Sequence, residues 1–146
     1  MQTVSLRPAT DDDCEFLYSL TRETLHQYVV ETWGAWDEAY QRGHFENKFD
    51  KERMRVIQCG SVDVGLLCLE RSAKEIFIVE IEILPGYQGQ GIGTSVLSDI
   101  IAEAESAGLP VRLQVLRVNP ARRLYERLGF RVFDESQTHF QMRREL

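Results

Sequence analysis

The feature that most restricts what this chain can fold into is a glycine-rich decapeptide, Pro85-Gly86-Tyr87-Gln88-Gly89-Gln90-Gly91-Ile92-Gly93-Thr94, set between two patterned runs. Before it, residues 75–84 are dense in Ile, Val and Phe, which predicts a strand. After it, Val96, Leu97, Ile100, Ile101 and Ala104 recur on one stripe, which predicts a helix over 94–107 stopped by Gly108 and Pro110. A strand-to-helix loop of this composition leaves successive backbone N–H groups open and adds the partial positive charge of a helix N-terminus. A phosphate or pyrophosphate is its natural guest. Two familiar phosphate motifs fail. Gly86 and Gly91 have P-loop spacing, but Ile92 stands where the lysine belongs. Gly89 and Gly91 begin a dinucleotide fingerprint, but Thr94 replaces its last glycine and the loop follows antiparallel-looking strands. The pattern Gln-x-x-Gly-x-Gly is matched in full by Gln88, Gly91 and Gly93. From this segment alone, a plain glycine-rich turn without a ligand is the competing reading.

A second block lies further on: Asn119-Pro120-Ala121-Arg122-Arg123-Leu124-Tyr125-Glu126-Arg127-Leu128-Gly129-Phe130. With Ile83-Leu84-Pro85-Gly86-Tyr87-Gln88-Gly89-Gln90-Gly91-Ile92-Gly93, it resembles the GNAT superfamily of acetyl-CoA-dependent N-acetyltransferases. The first block is similar to that family's CoA-pyrophosphate motif and the second to its Asn…Ala…Tyr…Gly-Phe motif. The resemblance implies a single N-acetyltransferase domain over residues 1–146, an α/β (α+β) fold with a mixed, mostly antiparallel sheet flanked by helices. It implies transfer of an acetyl group from acetyl-CoA to a primary amine acceptor by direct attack in a ternary complex. A non-catalytic acyl-CoA-binding regulatory module is the alternative. Residues 1–60, where such a family shapes its acceptor site, match only in outline.

Composition narrows the classes further. Over 146 residues, 43% hydrophobic and 27% charged are ordinary values for one globular domain. Seventeen Lys and Arg against 23 Asp and Glu, a net charge of −6, argue against a nucleic-acid partner, which selects a basic face, and suit a cationic one. Cys14, Cys59 and Cys68 are odd in number and have no CxxC spacing, so neither a disulfide framework nor a metal site is expected. The N-terminal MQTVSLRPATDDD has no apolar signal core, and no apolar run approaches the ~20 residues that span a bilayer. The expectation is a cytoplasmic protein without a membrane partner, monomer or homodimer.

Val4 and Leu6 alternate with polar neighbours in a short strand before Pro8. Thr10 and Asp13 form a capping box for a helix bearing Phe16, Leu17, Leu20, Thr24, Leu25 and Tyr28. Trp33, Trp36, Tyr40 and Phe45 mark a second helical segment, against which Gly34 and Gly43 weigh. Strands are expected over 54–59, 62–70, 111–118, 131–135 and 137–143, and a short helix over 121–128. The order is β-α-α-β-β-β-α-β-α-β-β.

Carrying the resemblance residue by residue, Gln88, Gly89, Gln90, Gly91, Ile92, Gly93 and Thr94 would hold the CoA pyrophosphate through backbone amides, with a side-chain donor from Gln88. Ile83 and Leu84 would pair with the pantetheine arm as with another strand, and an N–H near Ile83 would face the oxyanion. Asn119 would bond backbone or pantetheine, or serve as a turn residue before Pro120. Arg122 and Arg123 would supply positive field to the cofactor or form a solvated helix face. Tyr125 matches the family's acid, a phenol beside the CoA sulfur; on periodicity alone it is a core tyrosine packed with Leu124 and Leu128. The base is sought from the residues themselves, because a lysine-like amine of pKa about 10.4 must lose a proton before attack. Glu80 and Glu82 alternate on one face of an apolar strand with Val79, Ile81 and Ile83 on the other. They are candidate bases or solvated, salt-bridged side chains, and the choice between the two stays open. Trp33, Trp36 and Tyr40 would line an acceptor groove, shared with ordinary packing against the sheet.

Overall fold

A computed structural model describes residues 3–146; Met1 and Gln2 of the N-terminal segment lie outside the described residues. The strands are β1 (Val4–Pro8), β2 (Met54–Cys59), β3 (Val62–Arg71), β4 (Ile76–Ile83), β5 (Val111–Leu116), β6 (Arg131–Glu135) and β7 (His139–Arg144). The helices are α1 (Cys14–Trp33), α2 (Glu38–Lys48), α3 (Ile92–Ala107) and α4 (Arg122–Arg127). The strands form one seven-stranded sheet in the order β1-β2-β3-β4-β5-β7-β6. Its neighbours run antiparallel except β4 and β5, the mixed and mostly antiparallel arrangement expected from the sequence.

Local chemistry sets the element ends. The Thr10 N–H donates to the Asp13 carboxylate at 2.8 Å, and Arg7 bridges Asp13 and Asp63 at 2.8 Å each, fixing the entry of α1. Trp33 closes α1, because Gly34 turns left-handed at φ 93° and its N–H caps the Val30 carbonyl. The aromatic segment is therefore broken in two, and α2 restarts at Glu38 with Asp37 accepting the Tyr40 N–H at 3.0 Å. Gly43 sits inside α2 without breaking it. Helix α3 begins at Ile92, two residues before expectation, because Gly91 at φ 83° serves as its N-cap. Strand β5 stops at Leu116, whose carbonyl accepts the Asn119 N–H, and β7 starts late because Ser136 Oγ accepts the N–H groups of Thr138 and His139.

Two apolar layers sandwich the sheet. Ile57, Val64, Leu67, Ile76 and Ile78 pack under Ile92, Val96, Leu97 and Ile100 of α3, joined by Tyr125 and Phe130. Leu17 and Leu20 of α1 cover Met54, Val56, Leu66 and Cys68 on the other face. Each such large side chain contributes about 1.5–3 kcal/mol on burial.

Two irregularities of β4 determine which of its groups face the neighbouring strands and which do not. Cys68 stands opposite Glu80 and Leu69 opposite Ile78, so Val79 has no counterpart on β3 and forms a β-bulge. The extra residue re-phases the strand: Ile76 and Ile78 face the α3 layer, whereas Val79 and Leu84 pack with the α1 layer. Val79 thus does not share a face with Ile81 and Ile83, as strict alternation would require. The second irregularity is the end of the parallel ladder. β4 pairs with β5 only at Ile76–Ile78 against Val111–Leu113, after which the two strands run on and part. The Leu84 N–H donates to Val64 O at 2.8 Å, so ladder alternation turns the Ile83 N–H and C=O away from β3, toward that gap. Gly65 lies opposite Ile83; a Cβ there would stand 2.6 Å from the Glu82 carbonyl oxygen, so only glycine permits this approach.

Candidate active site

The parting of β4 and β5, roofed by α1 and α2, opens a cavity of about 1080 Å³. Glu80 and Glu82 of β4, Tyr125 of α4, Asn119, Trp33, Trp36 and Tyr40 all line it. The glycine-loop residues Gln88, Gly89, Gln90, Gly91, Ile92, Gly93 and Thr94 are not among its lining, nor are Ile83, Leu84 and Arg122. Sequence-selected residues therefore fall into two places: one set around the cavity, and one along the edge from the end of β4 to the start of α3.

The two glutamates differ. Glu82 is only 5% exposed. Its Oε1 accepts from Thr21 Oγ1 at 2.7 Å, with Thr24 Oγ1, whose one proton is shared with the Thr21 carbonyl, 3.5 Å away, while its buried Oε2 has only the Glu80 carboxyl for company. Glu80 is exposed to the cavity yet sits deep among protein atoms, which keeps it reachable while making its charge costly. That desolvation, followed by the neighbouring Glu82 charge, raises its carboxyl well above the usual carboxylate range, against an opposing pull from Lys48.

Tyr125 is 7% exposed, with its ring edge-on to Phe130 at 6.0 Å between centroids. Burial, and then the charges of Glu80 and Glu82, push its phenol above its ordinary value, so it is a proton donor throughout the neutral range. Tyr125 is thus a packed residue that also lines the cavity. Its neighbour Leu124 lies 3.7 Å from the Cβ position of Gly93, which ties α4 to the first turn of α3.

At that first turn, the Ser95 N–H is bonded back to the Gly91 carbonyl, leaving the N–H groups of Ile92, Gly93 and Thr94 without intrahelical acceptors. Gly89 and Gly91 have φ of 76° and 83°, and nothing lies within 4 Å of a Cβ built on either. The side chain of Ile92 belongs to the core, so only its backbone is offered at the loop. Gln88 Nε2 donates to Ile83 O at 2.9 Å, bracing the loop against β4, and Gln90 Nε2 bonds Gly86 O at 3.2 Å. Asn119 Oδ1 accepts the Ala121 N–H at 2.9 Å, the turn role expected of a residue before Pro120. Arg122 lies over the Phe140 ring at 4.2 Å and 3.4 Å from Glu126, while Arg123 is exposed.

Trp33 and Tyr40, 57% and 61% exposed, stand at the cavity mouth. Trp36 donates its indole N–H to Glu38 at 2.9 Å and stacks on His26, and Tyr40 stacks on His44. Sequence reasoning missed Thr21, Lys48 and Gly65, and took Thr24 only as a helix position. The available signal was two hydroxyls three apart on the otherwise apolar stripe of α1. Cys68, opposite Glu80, has its thiol raised to about 11 by burial, which removes thiolate chemistry from the cavity. Among the described residues, no group of three or more His, Cys, Asp or Glu could hold a metal ion, and no helix is long and apolar enough to cross a membrane.

Comparison with known proteins places this geometry. The model of the acetyltransferase (GNAT) family matches residues 11–130. The chain is 32% identical over 78 residues to the ribosomal protein bS18-alanine N-acetyltransferase of Haemophilus influenzae; the match takes in 53% of each chain, about half the length of that curated relative. Among solved structures, the PaiA N-acetyltransferase of Thermoplasma acidophilum in complex with coenzyme A superposes with a TM-score of 0.78 at 21% identity, covering 99% of both chains. An acetyltransferase from Thermus thermophilus superposes at 0.76 with 20% identity over 100% of both. These two likenesses show the shared fold.

Proposed function

The chain belongs to the acetyltransferase (GNAT) family, and from that premise we propose that it transfers an acetyl group from acetyl-CoA to a primary amine by direct attack in a ternary complex. One observation carries the reading: two carboxyl groups and a buried phenol face a single cavity where β4 and β5 part. The cofactor's edge is supported separately by open N–H groups at the start of α3, open space over Gly89 and Gly91, and the outward-turned backbone of Ile83.

Acetyl-CoA supplies an activated thioester carbonyl. The N–H groups of Ile92, Gly93 and Thr94 hold its pyrophosphate, and the edge of β4 at Ile83 and Leu84 aligns its arm. The Ile83 N–H faces the developing oxyanion. The carboxylate pair takes the proton of the acceptor ammonium, the amine nitrogen bonds the carbonyl carbon, and the carbon–sulfur bond breaks. Tyr125 gives its proton to the departing sulfur, and the second proton shed by the acylated nitrogen restores the phenol through water. Trp33, Trp36 and Tyr40 border the acceptor's entrance.

The test measures CoA release over a panel of primary amines, together with the thermal midpoint with and without CoA. Turnover of at least one amine is expected. CoA should raise the midpoint of the wild type, and Gly91→Glu should abolish that rise, since a side chain there fills the phosphate space and repels its charge. The rise on adding CoA is compared rather than the starting midpoint, because φ of 83° strains any side chain at position 91. A midpoint rise with no turnover of any amine would leave the regulatory acyl-CoA-binding module as the function.

A further inference from the structure

The proposed chemistry treats Glu80 and Glu82 as a pair, but their surroundings assign them separate tasks. Glu82 is clamped from across the cavity: Thr21 Oγ1 donates to its Oε1 at 2.7 Å, Thr24 Oγ1 stands 3.5 Å away, and the Thr24 hydroxyl is itself bonded to Thr21 O at 3.2 Å. A hydroxyl donor favours the ionised form of the carboxylate it serves. The same side chain is about nineteen-twentieths buried, and its second oxygen has no donor apart from the neighbouring Glu80 carboxyl when that holds a proton. A buried carboxylate oxygen without a donor is costly unless something else supplies one. A ligand seated in the cavity can do so. Glu80, by contrast, is open to the cavity and can exchange a proton with what enters it.

Resting on the acetyltransferase reading, we propose that Thr21 and Thr24 are positioning residues that fix Glu82 as the anionic seat of the acceptor's ammonium group, with Glu80 as the residue that takes its proton. The acceptor class is therefore a primary alkylammonium, an amine that arrives charged, rather than one already neutral at physiological pH such as an arylamine. One ammonium N–H fills the vacant Oε2; a second faces Glu80, whose carboxylate accepts the proton as the nitrogen lone pair is released. The other titratable and charged groups lining the cavity are Tyr18 of α1, Asp37, Tyr40, His44 and Lys48 at the cap and along α2, Asp50 and Arg53 ahead of β2, Cys68 and Glu70 of β3, Tyr125 of α4 and His139 of β7, while β5 contributes the neutral Gln114. Glu70 is paired with Arg53, and α3 lies on the opposite face of the sheet. Burial holds the Tyr18, Cys68 and Tyr125 protons on and lowers His139.

The experiment is a pH titration of the CoA-saturated protein labelled with δ-13C glutamate, monitored by carboxyl NMR, in wild type, Thr21→Val and Thr21→Ser. Thr21→Val removes the donor at constant shape and should move the Glu82 midpoint up, whereas Thr21→Ser keeps the donor and should leave it in place. Propylammonium chloride should shift both signals saturably, propan-1-ol at equal concentration should not, and Thr21→Val should weaken the propylammonium response about tenfold, as expected on losing a charge-assisted hydrogen bond. An equal response to the alcohol, or a Thr21→Val protein with unchanged midpoint and unchanged propylammonium binding, overturns the proposal. Failure of CoA itself to bind would instead strike the acetyltransferase reading beneath it.

Discussion

Glu80 and Glu82 carry the same functional group two positions apart, and what separates them is supplied by other parts of the chain. Glu82 meets two hydroxyls of α1; Glu80 meets the open cavity and the charge of Glu82. Alternation along the strand was legible in the sequence, but the Thr21 contact joins residues 61 positions apart and no local pattern announces it. Tyr125 is the opposite case. Its place in the Asn119–Phe130 block marks it from the sequence, and the fold buries it beside both carboxyl groups. Tyr125→Phe keeps the ring, its edge contact with Phe130 and the core, so its thermal midpoint should stay close to that of the wild type. If the phenol protonates the departing sulfur, kcat should fall about 10²–10⁴-fold with little change in the acetyl-CoA KM. Steady-state kinetics on a turned-over amine measures this, and unchanged kcat would leave Tyr125 as a packing residue alone.

Among the elements, those defined by their own sequence were readable and those defined by a partner were not. The α3 stripe and the glycine stop at Gly108 are local signals, and that helix appears within two residues of its expected start. The bulge at Val79 exists only as a mismatch between β3 and β4, so counting residues along β4 cannot reveal it. Gly65 is of the same kind. It reads as an unexplained glycine in an apolar run, and its purpose emerges only when the Glu82 carbonyl is found 2.6 Å from where its Cβ would be. Gly65→Ala should force β3 and β4 apart beside Glu82, displacing the carboxylate from Thr21. The expected outcome is a loss of about 1–3 kcal/mol, the usual cost of overpacking, and a kcat/KM reduced beyond what the midpoint shift explains. Urea unfolding and kinetics on the same preparation separate the two effects.

For the whole molecule, charge is distributed unevenly along the chain. Residues 1–110 hold nine Lys and Arg against nineteen Asp and Glu, whereas residues 111–146 hold eight Arg against four. The net charge of −6 thus conceals a basic C-terminal portion, which is why net charge alone says little about where an anion would bind. The N-terminal portion is secured partly by Arg7, whose hydrogen bonds hold the Asp13 carboxyl down at about 2 and lower Asp63 as well. A depressed carboxylate stabilises the fold above its ordinary pKa and loses that contribution as pH falls toward the folded value. Stability should therefore drop as pH falls from about 4 toward 2. Asp13→Asn should flatten that drop while costing about 1–2 kcal/mol at neutral pH through the weakened cap and ion pair. Denaturant midpoints measured at several pH values check both halves.

The short seam between β4 and β5 also has a mechanical meaning. Strands β1 to β4 form one half-sheet and β5, β7 and β6 another, and their ladder joins them only at Ile76–Ile78 against Val111–Leu113. Past that seam no backbone rungs join the halves, and their relative angle is held by side-chain packing alone. A molecule that bridges the two diverging edges would join the halves where the ladder no longer does.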